Sequence, residues 1–287
     1  MKKGGTVVVI GRPNTGKSTL INTMMNQKVA ITSPLPQTTR RMTTTLYEDD
    51  RGWFRLTDTP GVMGKVDDLM GKKINTIAPK SIKGAEIVVA LVDISRPKNE
   101  EDNKTLALAR KAEAKKILVF NKMDKAVGSK DHRNEYLYWE DEFDKSIEVS
   151  SIRDKFVKGL VNIIFELLPE SNEEIERKNG PQMAMGSNLY ISEIIREKVY
   201  LCLREELPYS TDVEVLEVKD KRKLIYVRAN ILTNATRYKK MIIGREGRKI
   251  KQIGHDARKE LEIMSGRKIF LDLEVKVDHH WQEKISY

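Results

Sequence analysis

The sequence predicts an α/β protein of two domains: a first domain with a mostly parallel six-stranded sheet and helices on both faces, and a smaller α+β domain after it. Three observations support this. Apolar, β-branched runs alternate with helical patterns in the first part of the chain, as in parallel sheets. A glycine-rich loop joins the first strand to the first helix. Beyond a stretch rich in proline, glycine and charge, the order becomes helix, strand, strand, helix, helix, strand. We place the domains at 1–170 and 188–287, with a linker at 171–187.

Composition is consistent with two folded domains. The chain has 287 residues, of which 39% are hydrophobic, enough for a core in each domain. No apolar run approaches the roughly 18 residues that cross a bilayer, and the N-terminus leads straight into a strand instead of a signal peptide, so we expect a cytoplasmic protein. The net charge of +10, from 52 Lys and Arg against 42 Asp and Glu, suggests a polyanionic partner.

The first strand and helix enclose a phosphate-binding loop. Thr6 to Ile10 is β-branched and apolar, Ser18 to Asn26 has a helical pattern, and the loop between them fits GxxxxGK[ST]. Its glycines let backbone N–H groups point at phosphate oxygens, beside the positive end of the helix dipole. Lys17 then reaches the β- and γ-phosphates, and the Ser18 hydroxyl binds Mg²⁺. The predicted phosphate-binding residues are Gly11, Arg12, Pro13, Asn14, Thr15, Gly16, Lys17 and Ser18.

A switch loop is predicted next. Lys28 to Thr45 contains Pro34, Pro36 and many threonines, a composition that favours a mobile loop over a helix or a central strand. A nucleotide switch needs such a loop, with a threonine hydroxyl that closes on Mg²⁺, and we assign that part to Thr39. The predicted residues of this first switch are Gln37, Thr38, Thr39, Arg40 and Arg41.

The following strand, Trp53 to Thr57, delivers a DxxG motif. An aspartate at the end of a strand can hold Mg²⁺, and the glycine N–H can contact the γ-phosphate. Val62 stands where a glutamine would orient the attacking water, so we expect slow unaided turnover, roughly 10⁻⁴ to 10⁻² per second. The stretch 63–83, with glycines, charges and few apolar residues, is predicted to be mobile as well. The second switch comprises Asp58, Thr59, Pro60, Gly61 and Val62.

The rest of the first domain predicts a guanine site. Buried strands at Glu86 to Ile94 and Lys116 to Asn121 flank a helix at Asn99 to Ala114, so their carboxyl ends meet at the ligand edge of the sheet. An NKxD motif follows the second strand. Its aspartate, predicted to be buried, pairs with guanine N1–H and N2–H₂ and rejects adenine. A short strand at 146–149 and a helix at 155–168 complete the domain. The predicted guanine-binding residues are Asn121, Lys122, Met123, Asp124, Val149, Ser150 and Ser151.

The second domain predicts RNA binding. A helix at 190–207, strands at 212–218 and 223–232 and a final strand at 269–277 surround a GxxG segment between two helices. The window 221–251 holds eleven Lys and Arg against a single Glu. Paired glycines with a basic interior let a single-stranded nucleic acid backbone approach closely, as in KH domains. The predicted RNA-binding residues are Lys240, Ile243, Gly244, Arg245, Glu246, Gly247, Arg248, Lys249 and Lys251.

These motifs together resemble the bacterial Era GTPases over almost the whole chain. The resemblance rests on GRPNTGKSTL, ITSPLPQTTRR, DTPG, NKMD, SEIIREK, ELPYS, KKMIIGREGRKIKQIG and DARKELE. It implies a type II KH domain, hydrolysis of GTP to GDP with Mg²⁺, and binding of the 3′ end of 16S rRNA during 30S maturation. It also implies K⁺ held by Asn14 in place of an arginine finger, and peripheral association with the inner membrane. We expect a monomer that does not bind DNA.

An alternative stays open at this point. The basic module of a GTPase switch could instead dock a different RNA, a protein or an anionic membrane surface. A P-loop kinase is disfavoured by Asp124, which is suited to guanine.

Overall fold

The computed structural model describes residues 2–33, 35, 38–64, 69–173 and 187–284. The chain divides between residues 184 and 185 into two compact units. The predicted switch residue Gln37 and most of the predicted linker lie outside the described residues, so the linker boundaries stay a prediction.

The first unit is built on a mostly parallel six-stranded sheet, which confirms the predicted fold class. Its strands follow the order β2-β3-β1-β4-β5-β6, and among them only β2 runs antiparallel to its neighbour. The strands are β1 (Lys3–Ile10), β2 (Thr43–Asp49), β3 (Gly52–Asp58), β4 (Ile87–Asp93), β5 (Lys115–Asn121) and β6 (Lys145–Glu148). Because the parallel strands end at one edge, the loops that follow β1, β4 and β5 meet there.

Helices cover both faces of this sheet. They are α1 (Lys17–Met25), α2 (Leu69–Ile74), α3 (Ile77–Ile82), α4 (Glu100–Arg110), α5 (Leu137–Glu140) and α6 (Val157–Leu167). Side chains alternate along β1: Val7 and Val9 share one core with residues of α1 and α6, whereas Val8 and Ile10 share another with residues of α3 and α4. This period-two burial is what a strand covered on both faces requires.

The predicted end of the first switch loop is wrong. The predicted switch loop ended at Thr45, but β2 begins at Thr43 and pairs with β3. Its threonines are β-branched and suit an edge strand, and their hydroxyls find partners across it, as Thr44 Oγ1 does with Thr57 Oγ1 at 3.0 Å. Within the stretch 63–83, residues 69–74 and 77–82 form α2 and α3, and apolar residues of these helices, such as Ile74 and Ile77, are buried. The predicted mobility of the stretch stays a prediction.

The second unit is an α+β fold with the predicted element order. Its sheet has the order β7-β8-β9, and β8 pairs antiparallel with β7 and parallel with β9. The elements are α7 (Ser187–Cys202), β7 (Thr211–Lys221), β8 (Leu224–Thr233), α8 (Thr236–Ile243), α9 (Arg248–Ser265), β9 (Ile269–Val277) and α10 (Trp281–Lys284). Its core includes Ile194, Ile231, Ile253 and Leu261. Within the described ranges, none of the helices combines the length and apolarity that a bilayer crossing demands.

Candidate functional site

The loop between β1 and α1 has the backbone that its sequence pattern predicts. Gly16 has φ 101°, and Asn14 has φ 62°. A Cβ atom on Gly16 would lie 2.4 Å from Nδ2 of Asn121, so both the positive φ and the close approach require glycine here. Asn121 Nδ2 in turn donates to the Thr15 carbonyl at 2.7 Å. The phosphate loop is therefore held by Asn121, the first residue of the predicted guanine-binding motif.

Lys17 is buried beneath this loop. Its Nζ donates to the carbonyl oxygens of Gly11 and Arg12, both at 3.0 Å. Burial lowers the pKa of Lys17 to about 8, against the opposing charges of Asp58 and Glu101. An ammonium held among carbonyl dipoles and partly desolvated interacts strongly with an anionic ligand.

Three oxygen atoms from three different segments converge beside Lys17. Ser18 Oγ donates to Asp58 Oδ2 at 2.7 Å and lies 3.0 Å from Thr39 Oγ1. The segments are the start of α1, the first switch loop and the end of β3. Hard oxygen donors of this kind suit Mg²⁺, so the structure brings together the three residues that the sequence assigned to this ion.

The second switch packs directly on the phosphate loop. A Cβ atom on Gly61 would lie 2.6 Å from the Pro13 nitrogen, and the Val62 N–H donates to the Gly11 carbonyl at 3.0 Å. Thr59 is fully buried and donates from Oγ1 to the Val9 carbonyl. The side chain of Val62 offers no polar atom, as expected, so the position after Gly61 cannot orient a water molecule.

The predicted guanine-binding residues lie at the ends of β5 and β6. Lys122 Nζ donates to the Asn14 carbonyl at 2.6 Å and to Asp93 Oδ2 at 2.7 Å. Ser151 donates to Asn121 Oδ1 both from its N–H, at 3.0 Å, and from its hydroxyl, at 2.9 Å. Thus Ser151 reinforces this loop with its side chain as well as its backbone.

The predicted burial of Asp124 is wrong. The side chain is exposed at the rim of the site, where it accepts a hydrogen bond from the Ser150 hydroxyl at 2.5 Å. Asp124 lies within the turn that follows β5. An exposed carboxylate can accept hydrogen bonds from the edge of a base. The carboxylate then becomes buried only when the base binds.

Arg12 and Arg40 belong to the predicted site, but their side chains are buried within the protein. Arg12 is 3% exposed and pairs with Asp102 on α4 at 2.8 Å, and Arg40 is 2% exposed. Since a buried guanidinium engaged with a carboxylate cannot also reach a ligand, only the backbone of Arg12 remains a candidate for phosphate contact.

These residues surround one cavity of about 560 Å³, a volume in the range of small-molecule sites. It is lined by the predicted residues Pro13, Asn14, Gly16, Lys17, Ser18, Thr38, Thr39, Gly61 and Lys122. Sequence reasoning missed seven other lining residues: Thr19, Ile31, Thr32, Ser33, Ser95, Arg96 and Lys125. It also missed Asp93, whose place at the carboxyl end of β4 could have revealed it.

Asp93 organises the polar side of the cavity. It is 1% exposed, accepts hydrogen bonds from Lys122 and Ser95, and forms an ion pair with Arg96 at 2.8 Å. Burial acts to raise the pKa of Asp93, but the hydrogen bonds from Lys122 and Ser95 outweigh it and hold the pKa below its ordinary value. The carboxylate is therefore charged at neutral pH and positions two cations at the ligand edge.

The second unit carries its own candidate site at the GxxG segment between α8 and α9. Gly244 and Gly247 have φ 74° and 71°, and Glu246 between them has φ 53°. Arg245 and Arg248 are 86% and 73% exposed, and Arg248 pairs with Glu246 at 2.8 Å. The segment therefore presents exposed cations around a backbone that can be approached closely.

A groove of about 290 Å³ lies next to this segment, between α9 and β9. Its lining residues are Ile250, Lys251, Gly254, His255, Arg258, Leu271 and Leu273. Only Lys251 among them was predicted. Ile250, Gly254 and Arg258 follow a four-residue spacing, the signal of one helix face that could have identified the groove.

Comparisons with known proteins agree with both sites. A family described as "50S ribosome-binding GTPase" matches residues 6–122, and one described as "KH domain" matches residues 206–282. The GTPase Era of Halothermothrix orenii is 35% identical over 286 residues, which are 98% of this chain and 95% of that protein. The GTPase Era of Thermotoga maritima is 34% identical over 298 residues, covering 98% and 94%.

Solved structures are similar over the same length. A variant of Aquifex aeolicus Era bound to GDP·AlF4⁻ matches with a TM-score of 0.91 and 29% identity, covering 98% of this chain and 96% of that one. Era in complex with MgGDPNP and nucleotides 1506–1542 of 16S ribosomal RNA matches with a TM-score of 0.91 and 29% identity, covering 99% and 96%.

Proposed function

The chain belongs to the Era family of GTPases, and we propose that it couples hydrolysis of GTP in its first unit to binding of the 3′ region of 16S rRNA by its KH domain. The observation that carries the proposal is the convergence of Ser18, Thr39 and Asp58, of which Ser18 and Thr39 line a cavity together with Lys17 and Lys122. We propose that a phosphate-binding loop, a set of magnesium ligands and the guanine-binding motif that contains Lys122 act together on one nucleotide.

Each part of this site has a proposed role. The N–H groups of the loop from Gly11 to Ser18 and the Lys17 ammonium bind the β- and γ-phosphates. Ser18, Thr39 and Asp58 hold Mg²⁺, which supplies positive charge against the developing charge of the phosphates. Asp124 accepts from the guanine base. Support comes from the relative whose structure contains MgGDPNP.

A monovalent cation is a finer proposal for the same cavity. Asn14 lines the cavity in a left-handed conformation, and Val62 provides no polar group for the attacking water. We propose that Asn14 helps hold K⁺ beside the phosphates. Faster turnover in K⁺ than in Na⁺ is the expected result, and equal turnover in both would contradict it.

The KH domain supplies the proposed RNA site. The GxxG backbone clamps a single strand, and the groove between α9 and β9 accepts unstacked bases against Ile250 and Leu273. The relative bound to a 16S rRNA fragment supports this assignment. We propose that the protein acts in 30S assembly as a monomer of the cytoplasm, with domain bounds near 1–170 and 188–287 and without a DNA partner.

The test is binding of the full chain to a short single-stranded RNA from the 16S rRNA 3′ end, with a non-hydrolysable GTP analogue present. In an Arg245→Ala, Arg248→Ala variant we expect the affinity to fall by about 10- to 100-fold and the salt slope to decrease by about two. Both side chains are exposed, so the fold should be unaffected. A matched control, Arg222→Ala with Lys223→Ala in the β7–β8 hairpin, removes the same charge away from GxxG and should bind nearly as the wild type does.

Equal losses in both double variants would contradict a GxxG site and leave only nonspecific attraction to a polyanion. Sedimentation with anionic vesicles at the same salt concentration tests the alternative of a membrane-docking module. Tight vesicle binding together with weak RNA binding would replace the RNA proposal with that alternative.

A further inference from the structure

Arg96 is a cation of the nucleotide cavity that no sequence motif marks. It lies between β4 and α4 and lines the same cavity as Lys17 and Ser18. Its Nη2 donates to the Pro13 carbonyl at 2.9 Å, and its Nε lies 2.8 Å from Asp93 Oδ2. A guanidinium has five N–H donors, so these two contacts fix its position without using its full capacity.

The attachment to Pro13 places Arg96 near the γ-phosphate end of the cavity. Gly61, whose N–H is predicted from the DxxG motif to contact the γ-phosphate, packs on the same Pro13. Arg96 and Lys17 line the same cavity, and both donate to carbonyl oxygens of the phosphate loop. The two cations therefore act on one region of the cavity.

A comparison with Arg12 separates a structural arginine from one that is available to a ligand. Both side chains pair with a nearly fully buried aspartate, but Arg12 is 3% exposed whereas Arg96 is 40% exposed. An arginine that only tied Pro13 to Asp93 would gain nothing from facing the cavity. Asp93 also pairs with Lys122 at 2.7 Å. Both of its cationic partners line the cavity, so pairing with Asp93 leaves them accessible to a ligand.

We propose that Arg96 is a catalytic residue of GTP hydrolysis, donating hydrogen bonds to phosphate oxygens as an arginine supplied by the protein itself. The inference rests on the proposed GTP site. During hydrolysis a bond forms between the water oxygen and the γ-phosphorus, and the bond from that phosphorus to the β–γ bridging oxygen breaks. The electron pair leaves on GDP, and the water proton ends on inorganic phosphate. Arg96 takes no proton but stabilises the charge that gathers on the leaving oxygens.

The experiment compares Arg96→Ala, Arg96→Lys and a control, Arg110→Ala, in the full chain. Arg110 is an exposed arginine on α4 that pairs with Glu142. The measurements are kcat and KM for GTP, the affinity for a fluorescent GDP, and the extra affinity gained when aluminium fluoride is added to mimic the transferred phosphate. All are made in both K⁺ and Na⁺, so that a contribution of Arg96 is separated from that of a cation at Asn14.

For Arg96→Ala we expect kcat and the gain from aluminium fluoride to fall together by about 10²- to 10³-fold, with GDP affinity nearly unchanged. Arg96→Lys should recover only part of both, since an ammonium lacks the planar fork. The control should match the wild type.

Two results would overturn the proposal. One is retention of turnover and of the aluminium fluoride effect in Arg96→Ala. The other is a loss of GDP affinity by the same factor as kcat/KM, which would make Arg96 a positioning residue for the phosphate loop. If Arg96→Ala fails to fold, Arg96→Lys becomes the test. Full activity in Arg96→Lys would show that hydrolysis does not require the guanidinium and would overturn the proposal. Failure of the wild type to bind GDP would instead contradict the GTP site itself.

Discussion

At the scale of single residues, Lys17 shows how the phosphate loop combines rigidity with charge. Its ammonium is buried yet hydrogen-bonded to two carbonyls of the same loop, so the loop does not need a ligand to keep its shape. The cost is a partial loss of the proton at mildly alkaline pH, since burial lowers the pKa to about 8. A phosphate ligand replaces the lost solvation and favours the charged form.

This arrangement predicts that GDP affinity falls as pH rises. The pKa of the unliganded Lys17 lies below its ordinary value, so above about pH 8 binding must take up a proton. Between pH 7 and about pH 8.8 we expect roughly a sevenfold loss of affinity. Titration with a fluorescent GDP, together with calorimetry in buffers of different ionisation enthalpy, measures both the affinity and the proton uptake. Constant affinity without proton uptake over this range would show that Lys17 stays charged in the unliganded protein.

At the scale of elements, two helices of the first unit begin in contrasting ways. The N-terminus of α4 is capped by Asn99, which accepts from the Asp102 N–H and donates its own N–H to Asp102 Oδ2, both at 3.1 Å. This reciprocal capping stabilises the first turn, and the same Asp102 pairs with Arg12 of the phosphate loop. By contrast α6 follows Phe156, which has φ 61° and no side-chain capping bond.

Phe156 is therefore predicted to reduce stability. A bulky residue in the left-handed region is strained. Because this side chain is 54% exposed, burial of its ring contributes little stability to offset the strain. We expect Phe156→Gly to be more stable than Phe156→Ala by about 1 kcal/mol, because both remove the ring and only glycine removes the strain. Urea denaturation of the two variants measures the difference. Equal stabilities would mean that the backbone relaxes at no cost.

At the scale of the whole molecule, the chain joins a GTPase unit to a basic KH unit. The two units act together only if a bound nucleotide changes the affinity for RNA and bound RNA changes the affinity for the nucleotide. Thermodynamic linkage makes such an influence reciprocal: the factor by which a GTP analogue changes RNA affinity equals the factor by which RNA changes the affinity for the analogue.

We predict that RNA affinity differs by at least about fivefold between the states bound to the GTP analogue and to GDP, the lower end of typical coupling. Six titrations measure it: two of RNA into protein, one with each nucleotide, and four of nucleotide into protein, each nucleotide with and without RNA. The Arg245→Ala, Arg248→Ala variant is the control in which RNA should no longer change nucleotide affinity. Identical RNA affinities in both nucleotide states would show that the two units work independently.

Much of this architecture could be predicted from the sequence, because each motif and the strand or helices beside it lie in one short stretch of the chain. The phosphate loop, DxxG and NKxD motifs each follow a strand, and GxxG lies between two helices, so motif and context point to the same elements. The residues missed are those whose roles depend on distant partners. The hydrogen bond to the Pro13 carbonyl holds the Arg96 side chain at the cavity, whereas the ion pair with Asp102 holds the Arg12 side chain away from it. The strand β2 was missed for the same reason, since threonines form a strand or a loop according to whether a neighbouring strand accepts them.

The contact between Gly61 and Pro13 has a consequence for how the chain tolerates mutation. The phosphate loop leaves no room for a Cβ atom at position 61, whereas at position 62 the contact to Gly11 comes from the backbone N–H alone. In a library of random substitutions, position 61 should therefore accept glycine only, while position 62 should accept many side chains except proline. The more restrictive of the two neighbours is the one without a side chain.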